Sequence, residues 1–218
     1  MVTENPIIGI TLRVEKISAY NETRDALSHD WNLVFNELNA IPIFIPNNLK
    51  NLYSFLEKFD FNFLILSGGD NIGDSQERDL TEKIIIDYSI KHRIPVIGIC
   101  RGMQVLNNYF GGTLEKSTNQ NHVSKHHLIH LTKSLFSQEF KSNSIEVNSF
   151  HNNILKNENL GRDLEPFAIC EDDGTIEGFF HKSNFVLGVM WHPEREMKLE
   201  NVKILTKILT HKKIWDHS

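Results

Sequence analysis

The sequence is short of the residues that several classes of protein require. Its 218 residues include two cysteines, Cys100 and Cys170. Each ends an apolar run and neither has a partner at CxxC spacing. No disulfide framework is expected, and a reducing compartment fits. No apolar run approaches the ~20 residues that span a bilayer. Met1 to Pro6 lack a basic stretch followed by an apolar one, so they do not read as a secretory signal. Positive charge is scarce as well: 23 Lys and Arg stand against 28 Asp and Glu, a net charge of −5. That balance offers nothing to nucleic acid or an anionic membrane, while an anionic small molecule needs only a local pair of arginines. The expectation is a cytoplasmic protein acting on a small molecule, with no nucleic acid and no membrane as partner. Homodimer formation is left open.

The chain has enough apolar residues, 40%, to bury a full core. Short apolar runs alternate with amphipathic stretches. Strands are expected at Ile7–Leu12, Ile41–Ile45, Phe61–Leu66, Ile94–Ile99 and Phe185–Trp191, with Pro42 marking an edge. Helices are expected at 28–39, 49–59, 79–91, 102–110 and 201–211. Strand–helix alternation with Val/Ile-rich strands predicts an α/β fold with a mostly parallel central sheet flanked by helices. Shorter strands at 128–132, 144–149 and 167–170, with a hairpin turn at Asp173-Gly174, predict an antiparallel extension. The polar stretch from Glu115 to His127 reads as a surface loop. No repeat or linker divides the chain, so one domain over residues 1–218 is expected.

The most informative segment is Gly98-Ile99-Cys100-Arg101-Gly102. A buried strand ends there and a helix begins at once, and glycines two before and two after Cys100 permit a sharp turn that exposes a nucleophile. A thiol at a helix N-terminus is favoured as thiolate, the reactive form. The Arg101 N–H and the loop Gly68-Gly69 are candidate oxyanion donors. Cys170, without flanking glycines, reads as a core residue. A cysteine nucleophile needs a histidine base oriented by a third group. His192 ends the apolar strand Phe185–Trp191, and Glu194 follows across Pro193, on the same side of extended backbone. His122, His126, His127 and His130 lack a HExxH or Cys/His framework, so no metal is expected. No cofactor is required by this chemistry.

Gly98 to Gln104, together with Val189-Met190-Trp191-His192-Pro193-Glu194, resembles a class I glutamine amidotransferase domain. Ser67-Gly68-Gly69-Asp70 resembles that family's oxyanion strand. Gly9 to Arg13, Gly111 to Leu114 and Val147 to His151 resemble its γ-glutamyl hydrolase branch, peptidase family C26. The resemblance runs from residue 9 to residue 194. It implies a flavodoxin-like fold, a triad of Cys100, His192 and Glu194, and oxyanion donors at Gly69 and Arg101. It further implies that Gln104, Asn148, Ser149, Phe150 and His151 hold the glutamyl group. Asn152-Asn153 stands where the branch usually has a glutamine, and the chain is shorter than the aminobutyrate-conjugate hydrolases. Arg13, Tyr20, Arg24, Asp30 and Trp31 resemble instead the N-terminal stretch of hydrolases of γ-glutamyl-CDP-amidate, which serve phosphoramidate decoration of capsule polysaccharide. There Arg13 and Arg24 would grip a phosphate and Tyr20 or Trp31 would stack on a base. Three alternatives stay open: a γ-glutamyl-aminobutyrate-type hydrolase, a glutaminase subunit delivering ammonia to a synthase, and a non-catalytic regulatory protein.

Overall fold

The computed structural model describes residues 5–117, 122–133, 136–138 and 141–195. The expected helix at 201–211 lies outside the described residues. One nine-stranded sheet organises the rest. Its parallel half comprises β1 (Ile7–Thr11), β4 (Ile41–Ile45), β5 (Phe63–Leu66), β6 (Val96–Ile99) and β13 (Val186–Val189). Its antiparallel half adds β12 (Ile176–His181), β11 (Leu164–Cys170), β8 (Val123–Leu131) and β9 (Ser144–Phe150). The order is β4-β1-β5-β6-β13-β12-β11-β8-β9. Pro42 therefore does lie on an edge strand, where its missing N–H costs no ladder bond.

β5, β6 and β13 are buried along their whole length, as central parallel strands covered on both faces must be. One face packs against α1 (Asp30–Glu37) through Trp31, Val34 and Phe35. The other packs against α2 (Leu52–Leu56), α3 (Gln76–His92) and α4 (Arg101–Tyr109), including Leu56, Ile85, Ile86, Met103 and Leu106. α3 begins three residues earlier than its apolar pattern suggests, because Ser75 caps it by accepting from the Arg78 N–H.

Two regions differ from the sequence reading. Residues 13–26 form an antiparallel hairpin, β2 (Arg13–Ile17) with β3 (Glu22–Ala26), where no element was expected. Both strands are half-buried or exposed, so they carry no apolar alternation to read. The stretch read as a loop through His127 instead contains a two-residue strand, β7 (Glu115–Lys116), paired with β10 (Asn153–Ile154), and the start of β8. Residues 123–126 are exposed, yet they pair with β9 through backbone bonds that leave no mark in side-chain polarity. Among the described residues no helix is long and apolar enough to cross a membrane.

Candidate active site

The carboxyl ends of β5, β6 and β13 meet at one point. Cys100 follows β6 directly and precedes α4. Its backbone sits at φ 49°, ψ −104°, a strained conformation for a residue with a side chain. The strain persists because its surroundings fix it. The Cys100 N–H donates to the Val189 carbonyl at 2.8 Å, and Gln104 N–H donates to the Cys100 carbonyl at 3.1 Å. The flanking glycines are required by close approach. A Cβ on Gly98 would lie 2.4 Å from the Gly102 carbonyl carbon, and one on Gly102 would lie 2.1 Å from the Leu66 carbonyl oxygen. β5, β6 and α4 therefore nest too tightly for any side chain at these two positions.

His192 and Glu194 lie just past β13. The His192 Nδ1 and Glu194 Oε1 are 2.7 Å apart, both residues buried. This leaves Nε2 of the ring as the nitrogen that serves the thiol. Burial opposes the thiolate at Cys100, but the hydrogen bond and charge of His192 outweigh it and hold the thiol below its ordinary pKa. Burial likewise opposes the imidazolium. Hydrogen bonds to Cys100 and Glu194, and their negative charge, outweigh it and raise His192 to about 9. Both shifts favour the thiolate–imidazolium pair. Cys170 shows the opposite case: burial raises its thiol to about 11, as suits a core residue.

The loop after β5 closes the site. A Cβ on Gly68 would lie 2.8 Å from His192 Cε1 and 3.7 Å from Cys100 Cβ, so the bare backbone faces the two reacting groups. Gly69 has φ 131°, a conformation that favours glycine. Arg101 opens α4, so its N–H has no acceptor within the helix.

Behind this loop lies a buried ion network that sequence reasoning missed. Arg78 Nη2 donates to the Ser67 carbonyl at 2.8 Å, to the Gly68 carbonyl at 2.9 Å and to Ser67 Oγ at 3.1 Å. Its Nε donates to Glu82 Oε1 at 3.1 Å. Glu82 and Asp79 in turn receive the Arg101 guanidinium. Two arginines from α3 and α4 thus tie the loop after β5 to the residue after Cys100. The available signal was Arg78 and Glu82 at i, i+4 on a helix, which is far commoner as a surface pair.

The remaining sequence candidates divide. The Asn148 side chain clamps the His192 backbone, with Nδ2 donating to the carbonyl and Oδ1 accepting from the N–H, each at 2.8 Å. Ser149 Oγ donates to the His122 carbonyl at 2.8 Å and is fully buried. His151 turns toward Asn153 and Glu177. Phe150 is partly exposed, meets the His192 ring edge-on at a centroid distance of 5.9 Å, and stacks under Arg195. Gln104 is buried, accepting from Asn153 Nδ2 at 3.0 Å. Asn153, one of the two residues that stand where the branch usually has a glutamine, thus reaches the helix behind the thiol.

Beside His192 and Gly68 opens a shallow cleft of about 50 Å³. Arg13, Trp31, Gly69, His192 and Arg195 are among its walls. Arg13 and Trp31 are thus brought to the site, although most of the Trp31 ring packs on Phe35. Arg24 does not line this cleft. It stands exposed on the hairpin, bound through two nitrogens to Glu22 and lying over the Tyr20 ring.

Known proteins resemble this chain in sequence and in fold. A γ-glutamyl-CDP-amidate hydrolase of Campylobacter jejuni is 36% identical over 205 residues, covering 91% of this chain and 94% of its own. A glutamine amidotransferase of Thermotoga maritima superposes with a TM-score of 0.68 at 16% identity, over 95% of this chain and 99% of its own. PurLQS of the same organism superposes with a TM-score of 0.69 at 18% identity, over 94% and 98%. These two structures share the fold. The model of the peptidase C26 family matches residues 6–194, from the residue before β1 through Glu194, and the chain belongs to that family.

Proposed function

We propose that the chain hydrolyses the γ-glutamyl amide bond of γ-glutamyl-CDP-amidate through a thioester on Cys100. The observation that carries the reading is the meeting of Cys100, His192 and Glu194 beneath a side-chain-free backbone at Gly68-Gly69. Membership of peptidase C26 supports γ-glutamyl amide hydrolysis, and the Campylobacter relative supports the nucleotide leaving group.

The Cys100 thiolate attacks the γ-carbonyl carbon. The N–H groups of Gly69 and Arg101 receive the oxyanion. The His192 imidazolium gives its proton to the departing nitrogen, and the deacylated partner leaves. The neutral imidazole then takes a proton from water, which attacks the thioester carbonyl. Collapse releases glutamate and restores the thiolate–imidazolium pair. Glu194 holds the Nδ1 proton throughout and so fixes the tautomer. No cofactor enters the cycle.

Arg13 and Trp31 line the cleft beside His192, which supports a role for them in meeting the nucleotide leaving group. Of the residues read as holding the glutamyl group, Phe150 is best placed to meet substrate, being partly exposed and edge-on to His192, while Asn148 acts through His192. Residues 1–218 work as one unit on a small molecule in a reducing cytoplasm, a setting supported by two unpaired cysteines.

The test is a comparison of γ-glutamyl-CDP-amidate, γ-glutamyl-aminobutyrate and free glutamine, each followed by glutamate release. The nucleotide conjugate should have the highest kcat/KM. A preference for free glutamine would instead assign the chain to ammonia delivery.

A further inference from the structure

A second group of chemistry-bearing side chains lies apart from the triad, between β8, β9 and β12. His122 precedes β8, His151 follows β9, and Glu177 lies on β12. All three are buried, and one ligand atom from each lies within 4.8 Å of the others. His151 N–H and Ser149 Oγ both donate to the His122 carbonyl, at 2.9 and 2.8 Å, which locks the two histidine-bearing ends together.

Each ring is fixed by its outer nitrogen. His151 Nδ1 lies 2.8 Å from the Asn153 carbonyl oxygen. A carbonyl only accepts, so this nitrogen carries the hydrogen. His122 Nε2 lies 2.8 Å from Asp173 Oδ2, an acceptor of the same kind. The inner nitrogens then turn inward on one atom. His151 Nε2 is 3.4 Å and His122 Nδ1 is 3.7 Å from Glu177 Oε1. Neither nitrogen has a hydrogen-bond partner, and neither does either Glu177 oxygen. In the neutral rings, lone pairs face lone pairs inside a buried space, which is costly unless something positive lies between them.

We propose that His122 Nδ1, His151 Nε2 and Glu177 Oε1 form a binding site for a divalent transition-metal ion of the zinc type. Two imidazoles and a carboxylate are a suitable donor set for such an ion. Ligand atoms about 2.1 Å from a tetrahedral zinc lie about 3.4 Å from one another, close to the two separations from Glu177 Oε1; all three ligand atoms lie within 4.8 Å, a spread that closing on an ion would draw in. The outer contacts to Asp173 and the Asn153 carbonyl are those that orient metal-bound histidines and set their tautomer. Charge also closes: one divalent ion balances Glu177 and Asp173. His127 Nε2, 3.5 Å from Glu177 Oε2, buttresses the carboxylate from its far side. No local motif marks this site, because its ligands lie at or beside three strands, at spacings that follow sheet pairing. Its role is to staple the antiparallel half of the sheet beside the Phe150–His192 contact. The assignment does not depend on the substrate.

The full chain, stripped with chelator and dialysed, is titrated with Co²⁺ and followed by visible absorption and melting temperature. The expected result is d–d absorption saturating at about one ion per chain and displaced by Zn²⁺. At a hundredfold excess over Kd the melting temperature should rise by roughly 5–10 °C. His122→Ala and Glu177→Gln should abolish the absorption, while His130→Ala, on the exposed side of β8, should keep it. Should the first two variants fail to fold, the wild type still decides. Wild-type protein showing neither absorption nor a thermal shift overturns the site, and means that extra ring protons balance Glu177. Undiminished Co²⁺ absorption in a folded His122→Ala also overturns it.

Discussion

The side chain of Asn148 holds the backbone of His192 from both directions, donating to its carbonyl and accepting from its N–H at 2.8 Å each. The amide joins β9, in the antiparallel half of the sheet, to the residue that follows β13. The base is thereby positioned by a strand remote from it in sequence. Asn148→Ala should lower kcat by roughly 10- to 100-fold, since small misplacement of a catalytic group is costly, and leave KM nearly unchanged. It should also lower stability by about 1–3 kcal/mol through the unsatisfied His192 backbone groups. Steady-state kinetics and thermal unfolding check both. A large rise in KM at constant kcat would return Asn148 to direct substrate binding.

The charge state of the triad predicts a pH profile. Cys100 sits below its ordinary pKa and His192 is raised to about 9. The rate should rise as pH climbs through the Cys100 pKa and fall as it passes about 9, when the leaving nitrogen loses its proton donor. Iodoacetamide should alkylate Cys100 at neutral pH and spare Cys170, whose thiol stands at about 11. The linkage to stability has a definite sign. The folded His192 pKa lies above the ordinary 6.5, so its contribution is complete below 6.5 and lost as pH rises through about 9. Cys100→Ala removes the thiolate and should lower the His192 pKa, read by NMR of the ring.

Gly68 lets the backbone approach the reacting pair. Gly68→Ala puts a methyl 2.8 Å from His192 Cε1. The ring must move, and kcat should fall by roughly 100-fold with little change in melting temperature, because the loop lies beside the open cleft. Gly102→Ala meets the Leu66 carbonyl oxygen at 2.1 Å. Its main effect should be destabilisation by about 3 kcal/mol, the upper range for an overpacked core. Paired kinetics and calorimetry separate the two.

Arg13 and Arg24 are distinguished by place. Arg13 lines the cleft, whereas Arg24 stands outside it, paired with Glu22. Arg13→Ala should raise KM for a nucleotide conjugate by roughly 10- to 100-fold, the worth of one charge-assisted hydrogen bond, and Arg24→Ala should change it little. Equal effects would mean that the hairpin folds over the bound nucleotide.

Arg78 presents its fork to the Ser67 and Gly68 carbonyls. Arg78→Lys keeps the charge but loses the fork. It should lower kcat by roughly tenfold or more through a loosened oxyanion loop, while Cys100 alkylation stays near the wild-type rate. Loss of both together would locate the effect in the thiol rather than in the loop.

The sequence made the candidate triad legible and its supports obscure. Cys100 between two glycines, and His192 and Glu194 across a proline, are local patterns whose geometry follows from backbone rules. The central parallel strands were legible because full burial requires continuous apolar runs. The supports depend on distant contacts. Asn148 pairs with a residue 44 positions away, and Arg78 binds carbonyls about ten positions back across a loop. The hairpin at 13–26 and the first turns of β8 are held by backbone pairing of exposed residues, which hydropathy does not record. Arg24 was implicated as a phosphate ligand by resemblance alone, and on the hairpin its guanidinium is paired with Glu22.

The most direct test of the account is to stop turnover of γ-glutamyl-CDP-amidate with acid and map the modified peptide by mass spectrometry. A glutamyl thioester should appear on Cys100, be absent from Cys100→Ala, and decay with the appearance of free glutamate. Glutamate release from Cys100→Ala at the wild-type rate, or an adduct on Cys170 alone, would contradict it.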